Sequence, residues 1–274
     1  MVSQEQRRRQ LAREKFLRQQ QRRTSARRKA NMRNSVIASV LGVVVIGSVA
    51  LYTTGVLKND DDKKTNASAD VTPSATPSSK APDPCAKPAA GSIAKETWKK
   101  EPAMSIDTSA KYTMKLATTC GDIGIALKTS AAPHTVNSFD FLAGKGFFDH
   151  TKCHRLTTNG IYVLQCGDPT GVGSGGPGYT IPDENLKDAS LKGNKYPAGT
   201  VAMANTGQKH TGGSQFFLVY KDSPLPPSYT PFGTIDAAGL KVLDKIAAAG
   251  ENTGAGDGAP NATVVINKAT VTKS

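Results

Sequence analysis

Four stretches decide how this chain folds: Cys153-His154-Arg155-Leu156, Tyr162-Val163-Leu164-Gln165-Cys166-Gly167-Asp168, Met203-Ala204-Asn205 and Gly213-Ser214-Gln215-Phe216-Phe217. They place short strand candidates at Arg155–Leu156, Tyr162–Gln165, Thr200–Ala204 and Gln215–Tyr220. Upstream, Tyr112, Met114 and Leu116 alternate with polar residues, and Ile123, Ile125 and Leu127 do so again after Cys120-Gly121-Asp122. Two period-2 runs around a Gly-Asp turn predict a β-hairpin. Downstream, Phe232–Ile235 and Val264–Val271 complete the strand candidates. Val136, Phe139 and Leu142 after Pro133, and Leu240, Leu243 and Ile246, follow helical spacing. Many short strands with two helices predict a closed β-barrel capped by helices, which removes exposed edges. A packed barrel interior has no room for a ligand, so the functional motifs belong on its outer face.

The ordered quartet of HR pair, aromatic-x-x-Q-x-G-D strand, M-A-N turn and G-S-Q-F-F strand resembles the cyclophilins, a family of peptidyl-prolyl cis-trans isomerases. The likeness runs from about Lys111 to the C-terminus. It implies eight antiparallel strands in a closed barrel with one helix over each end, working as a monomer without cofactor or metal.

The activity so implied sets its own chemical demands. Rotation about an X–Pro bond is opposed by amide resonance, a barrier of about 20 kcal/mol. In the twisted state the proline nitrogen pyramidalises and gains a localised lone pair. A catalyst needs a fixed hydrogen-bond donor at that nitrogen, an apolar slot for the pyrrolidine ring and anchors for one flanking peptide. Only contacts stronger in the twisted state accelerate the reaction. Arg155 matches the family's donor, with a planar guanidinium that Lys does not reproduce. Gln165 matches the glutamine that orients it. Tyr162, Val163 and Phe217 match the proline pocket, with Leu225 a fourth wall. Ala204 and Asn205 match the stretch whose backbone anchors the residue before proline.

The chain also departs from the family pattern. Leu156–Ile161 is two residues longer than the usual I-I-P-G. The common Trp falls near Pro224 or Leu225, and the common His falls near Tyr229, whose hydroxyl can still donate to a substrate carbonyl. Loss of the Trp ring N–H predicts weaker inhibition by the family's cyclic peptide. His150, Cys153 and His154 cluster in sequence, but neighbours on a strand point to opposite faces, so a shared metal is not expected. Gly171–Gly178 lacks a Gly-Lys-Ser/Thr ending and reads as a flexible surface loop.

The net charge of +13 is unevenly spread. Residues 1–34 hold twelve Lys/Arg against Glu5 and Glu14, giving +10 and leaving +3 for the other 240 residues. Ser35–Leu57 carries no charge over 23 residues. At 1.5 Å per residue that is about 34 Å of helix, enough for the ~30 Å hydrocarbon core of a bilayer. The basic flank stays cytoplasmic, so the rest is exported. The competing reading is a cleavable signal peptide with Ser48-Val49-Ala50 as its small-residue site; against it stand the 34-residue basic region and an apolar stretch above 20 residues. Residues 1–34 thus read as a cytoplasmic tail, 35–57 as a single-pass membrane anchor, 58–110 as linker and N-terminal extension, and 111–274 as the isomerase domain of a bacterial membrane protein. Proline-containing polypeptides are the expected partners; nucleic acid is not, since the tail has no accompanying fold. Trp98 is expected to pack the extension on the domain. Cys85, Cys120, Cys153 and Cys166 face an oxidising exterior and permit two disulfides in three pairings, against four buried thiols.

Overall fold

Strand β1 (Tyr112–Thr118) alternates buried Tyr112, Met114 and Leu116 with exposed residues, and β2 (Gly121–Leu127) buries Ile123, Ile125 and Leu127. Because side chains alternate across a strand, one face of this hairpin is apolar and must be covered. The register sets Met114 opposite Ile125 and Leu116 opposite Ile123, so the pairs meet on that face. The computed structural model describes residues 82–273; the predicted tail, the anchor Ser35–Leu57 and most of the linker lie outside them. Among the described residues no helix is long and apolar enough to cross a membrane.

Helix α1 (Pro133–Gly144) starts with proline at its first turn, where a missing N–H costs nothing. Ala132 offers no capping side chain. Glu184 instead accepts from the backbone N–H of His134 and Thr135 at 3.0 and 2.9 Å, a carboxylate at the positive end of the helix. Phe139 of α1 meets Phe148, Phe216 and Phe232 at centroid distances of 5.1, 5.5 and 4.5 Å, which fixes the helix over the sheet.

The remaining strands are β3 (Thr151–Lys152), β4 (Arg155–Thr157), β5 (Val163–Cys166), β6 (Lys195–Tyr196), β7 (Thr200–Met203), β8 (Phe216–Val219), β9 (Ser223–Pro224), β10 (Pro231–Ile235), β11 (Asp257–Gly258) and β12 (Val265–Lys273). Helix α2 (Ala237–Ala248) is capped by Asp236, whose carboxylate accepts from Gly239 N–H at 2.6 Å. One antiparallel sheet takes the order β11-β4-β5-β8-β7-β10-β2-β1-β12-β3, with β6 and β9 forming a separate ribbon.

The fold is mostly β with two helices, as expected, but the ladder has ten strands rather than a closed ring of eight. Its extra members are two-residue strands at each end. Strands β3 and β4 stand near opposite ends of that order yet are separated only by Cys153 and His154, so the sheet curls back on itself. Cys153 N–H donates to Val264 at 2.9 Å and His154 N–H to Gln165 at 3.1 Å; the chain changes partner between these two residues.

Both faces of the central strands are covered. In β7 and β8 every residue is buried. Val201, Met203, Phe216 and Leu218 join the main core, while Ala202, Phe217 and Val219 join a second apolar cluster with Val163, Leu191 and Tyr196. This second, outer cluster carries the functional site. The extension packs as predicted: Trp98 lies edge-on to Phe141 at 5.1 Å and donates its backbone N–H to Pro177 at 2.8 Å. Two disulfides, Cys85–Cys120 and Cys153–Cys166, use all four cysteines, so Cys153 offers no thiolate to a metal.

Candidate active site

Sheet register brings the sequence motifs into one row. Arg155 on β4 sits opposite Gln165 on β5, Gln165 opposite Phe217 on β8, and Phe217 opposite Ala202 on β7. Directly opposed residues share a face, so a donor, an amide and an aromatic ring stand side by side on the outer surface.

Beside this row lies a cavity of about 150 Å³, well below the roughly 300–1,000 Å³ of drug-sized pockets and suited to a single small ring. Its apolar walls are Ile161, Val163, Phe217 and Leu225; Arg155, Gln165, Asn205 and Tyr229 supply polar groups, with Ala204 between. Phe217 meets Tyr229 edge-on at 5.4 Å and Tyr196 at 6.1 Å. The Tyr196 hydroxyl donates to the Tyr229 carbonyl at 2.7 Å, and burial pushes its pKa up to about 12, so it stays neutral and locks the Tyr229 backbone.

Eight of the nine residues expected from sequence therefore line one pocket. Tyr162 does not. Along β5 and its approach, 161, 163 and 165 share one face by strand alternation, and Ile161, Val163 and Gln165 all face the pocket. Tyr162 belongs to the other set: its ring lies edge-on to Tyr220 at 6.0 Å, with the Lys221 ammonium 4.6 Å from its centroid. Ile161, not among the expected residues, lines the pocket.

Arg155 is held by a partner that the sequence did not reveal. Its Nε and Nη2 donate to the two carboxylate oxygens of Asp257, each at 2.7 Å, the bidentate geometry that suits guanidinium to carboxylate. The pairing pushes the arginine pKa further up and holds the Asp257 carboxyl below the usual carboxylate range. Nη1 donates to Gln165 Oε1 at 3.3 Å; Gln165 Nε2 donates to Gln215 Oε1 and Gln215 Nε2 to the Gly175 carbonyl, both at 2.9 Å. These bonds use three of the five guanidinium N–H groups, leaving two for a ligand. Strand β11 delivers Asp257 by pairing opposite Thr157. The longer Leu156–Ile161 segment leans on that same turn, with Thr158 N–H donating to Gly256 at 2.9 Å.

Behind the row, the His154 ring nitrogens are buried and have no hydrogen-bond partner. Burial holds its pKa below the ordinary imidazole value, so no second positive charge competes with Arg155 at neutral pH. The glycine-rich loop is not the free segment expected. The fully buried Asp168 accepts from the N–H groups of Thr170, Val172, Gly173 and Ser174 at 2.7, 3.1, 2.6 and 3.0 Å. Hydrogen bonds hold its pKa down at about 2 against the opposing effect of burial. Gln215 and Asp257 are the functional candidates that sequence reasoning missed. Strand alternation from Phe217 points to Gln215 on the same face; nothing local points to Asp257, 102 residues from Arg155.

A family model described as "Cyclophilin type peptidyl-prolyl cis-trans isomerase/CLD" matches residues 113–271. The chain belongs to this family of peptidyl-prolyl cis-trans isomerases. A probable peptidyl-prolyl cis-trans isomerase B of Mycobacterium leprae is 47% identical over 207 residues, covering 71% of this chain and 68% of that protein. Its Mycobacterium tuberculosis counterpart is 50% identical over 165 residues, covering 57% of this chain and 53% of that protein, so the match spans about half of that relative. Among solved structures, a cyclophilin-type isomerase of Cryptosporidium parvum superposes with a TM-score of 0.50 at 26% identity, covering 60% of this chain and 99% of that one. The family-model match begins at residue 113, inside the folded unit, so Trp98 and its neighbours precede it.

Proposed function

We propose that this chain accelerates cis–trans rotation about X–Pro bonds in exported, folding polypeptides by a non-covalent, arginine-assisted route. The observation that carries the reading is the Arg155–Gln165–Phe217 row beside a ring-sized pocket. The pyrrolidine ring enters between Val163, Phe217 and Leu225. A free N–H of Arg155 donates to the proline nitrogen as its lone pair localises, while Asn205 and the backbone beside Ala204 hold the flanking peptide. Asp257 and Gln165 fix the guanidinium plane beforehand, so no reorganisation accompanies the rotation. Asp257 is here a positioning residue, acting through Arg155.

The chain is read further as a single-pass membrane protein, with residues 1–34 cytoplasmic, 35–57 as anchor and the folded unit outside. Supporting this are the uncharged 23-residue run after a +10 tail and the pairing of all four cysteines, which fits an oxidising compartment. External protease applied to intact cells should then cut near residues 65–80 and spare residues 1–34; full-length protein in the soluble cytosol overturns the topology.

Leu225 and Tyr229 in the pocket favour a second reading, a weakly catalytic module that docks proline segments. A protease-coupled isomerisation assay on the full-length protein decides between them. Turnover of an Ala-Pro peptide supports the enzyme; binding of that peptide without turnover leaves the docking module.

A further inference from the structure

Next to the proline pocket opens a much larger groove of about 1130 Å³. The two are continuous, since Gln165, Ala204 and Asn205 line both. One wall of the groove is the Gly173–Thr180 segment, another the backbone around Asn205 and Gln215, and the third comes from the extension: Lys99, Lys100 and Glu101. These three are the only charged residues among its lining.

The extension wall is built into the fold. The Trp98 ring packs against Phe141 and Phe147 at 5.1 and 6.0 Å, and its N–H bonds to Pro177. A Cβ at Gly178, whose φ is +91°, would stand 2.7 Å from the Trp98 carbonyl oxygen; only glycine permits this approach. The Cys85–Cys120 bond ties the start of the extension to the end of β1. Glu101 is already engaged, 3.3 Å from His134. Lys99 and Lys100 are exposed, and among the described residues neither has an ion-pair partner.

We infer that Lys99 and Lys100 make the enlarged site selective for substrates bearing an acidic residue on one side of the proline. The inference rests on the proline pocket proposed above, and its occupant is the peptide segment that continues from that pocket past Ala204 and Asn205. A carboxylate in the groove meets two ammonium groups without ion-pair partners among the described residues, and Glu101, the one acidic residue among the described lining, is drawn toward His134. The extension thus supplies a specificity element that the strands carrying the isomerase motifs lack.

The test is a walk of Glu through an alanine-based peptide, one to three places before or after a central Pro. Specificity constants and peptide dissociation constants are measured for full-length wild type, a Lys99→Gln/Lys100→Gln double variant and a Lys99→Glu/Lys100→Glu reversal. In wild type, Glu at positions on one side only should improve both quantities over Ala by about two- to ten-fold at low salt, the size expected of partly exposed ion pairs. The advantage should vanish near 1 M salt, where the Debye length is about 3 Å. It should also disappear in the double variant and turn into a preference for Lys peptides in the reversal. An equal Glu-to-Ala ratio in wild type and double variant, in binding and turnover alike, overturns the inference. Absence of turnover on every peptide would sink the enzymatic reading, and the binding ratios would still decide this one.

Discussion

Two carboxylates organise the two ends of the site, and they work by opposite means. Asp168 is fully buried and spends itself on backbone N–H groups, turning a glycine-rich loop into a fixed wall. Asp257, with its side chain 55% exposed, holds the single cation of the pocket, itself 41% exposed. The polar row from Arg155 through Gln165 and Gln215 to the Gly175 carbonyl links one region to the other. A buried acceptor with many donors is costly to remove because the donors lose their partners. An exposed ion pair contributes little to stability but aims a functional group. Architecture and aim are thus separable here.

The largest effect expected from breaking this arrangement is at the cation itself. Arg155→Ala should lower kcat/KM by about 10²–10³, the loss typical of a donor that acts on a transition state, while the fold persists. Arg155→Lys should recover little, since an ammonium lacks the planar fork. More than about a third of wild-type activity left in Arg155→Ala would end the arginine-assisted mechanism.

Next comes Asp168→Asn, which should cost about 1–3 kcal/mol of stability by urea unfolding through orphaned loop donors. Its pH signature is specific. The folded pKa of Asp168, about 2 against an ordinary 3.8, means its contribution is complete above about pH 4 and lost as pH falls toward 2. The gap between wild type and variant should therefore close over that interval; a gap constant with pH assigns the loss to packing instead.

Asp257→Asn should reverse the balance: a kcat/KM decrease of about two- to ten-fold with a stability change below about 1 kcal/mol. A large stability loss would erase the contrast between the two acids. Smallest of all, Tyr162→Ala should change kcat/KM by less than about twofold, with the Tyr220 contact worth about 0.5–1.5 kcal/mol of stability. Kinetic damage comparable to that of Phe217→Ala would return Tyr162 to the pocket wall.

Legibility in the sequence followed the length of the pattern. The β1–β2 hairpin and both helices announce themselves because three or more apolar residues repeat at a fixed period. Strands β3, β6, β9 and β11 have two residues each, too few to show any period, and β11 is the one that brings Asp257 to Arg155. For Gln165 and Phe217 the motif and the strand face coincide, while Asn205 lies in the loop after β7 and lines the pocket from there. Tyr162, expected in the pocket from the motif, packs against Tyr220 instead. Glu184 at the start of α1 and Asp168 within the glycine loop act through tertiary contacts whose partners carry no local signature.

The pairing of β1 with β12, Tyr112 opposite Lys273, has a consequence for timing. A strand near the start of the domain must wait for its neighbour until some 160 further residues have been made, and for that interval β1 presents an unpaired edge. Long-range pairings of this kind slow folding, and open edges invite association with other chains. The nascent domain thus carries an open apolar-faced edge until β12 arrives to cover it.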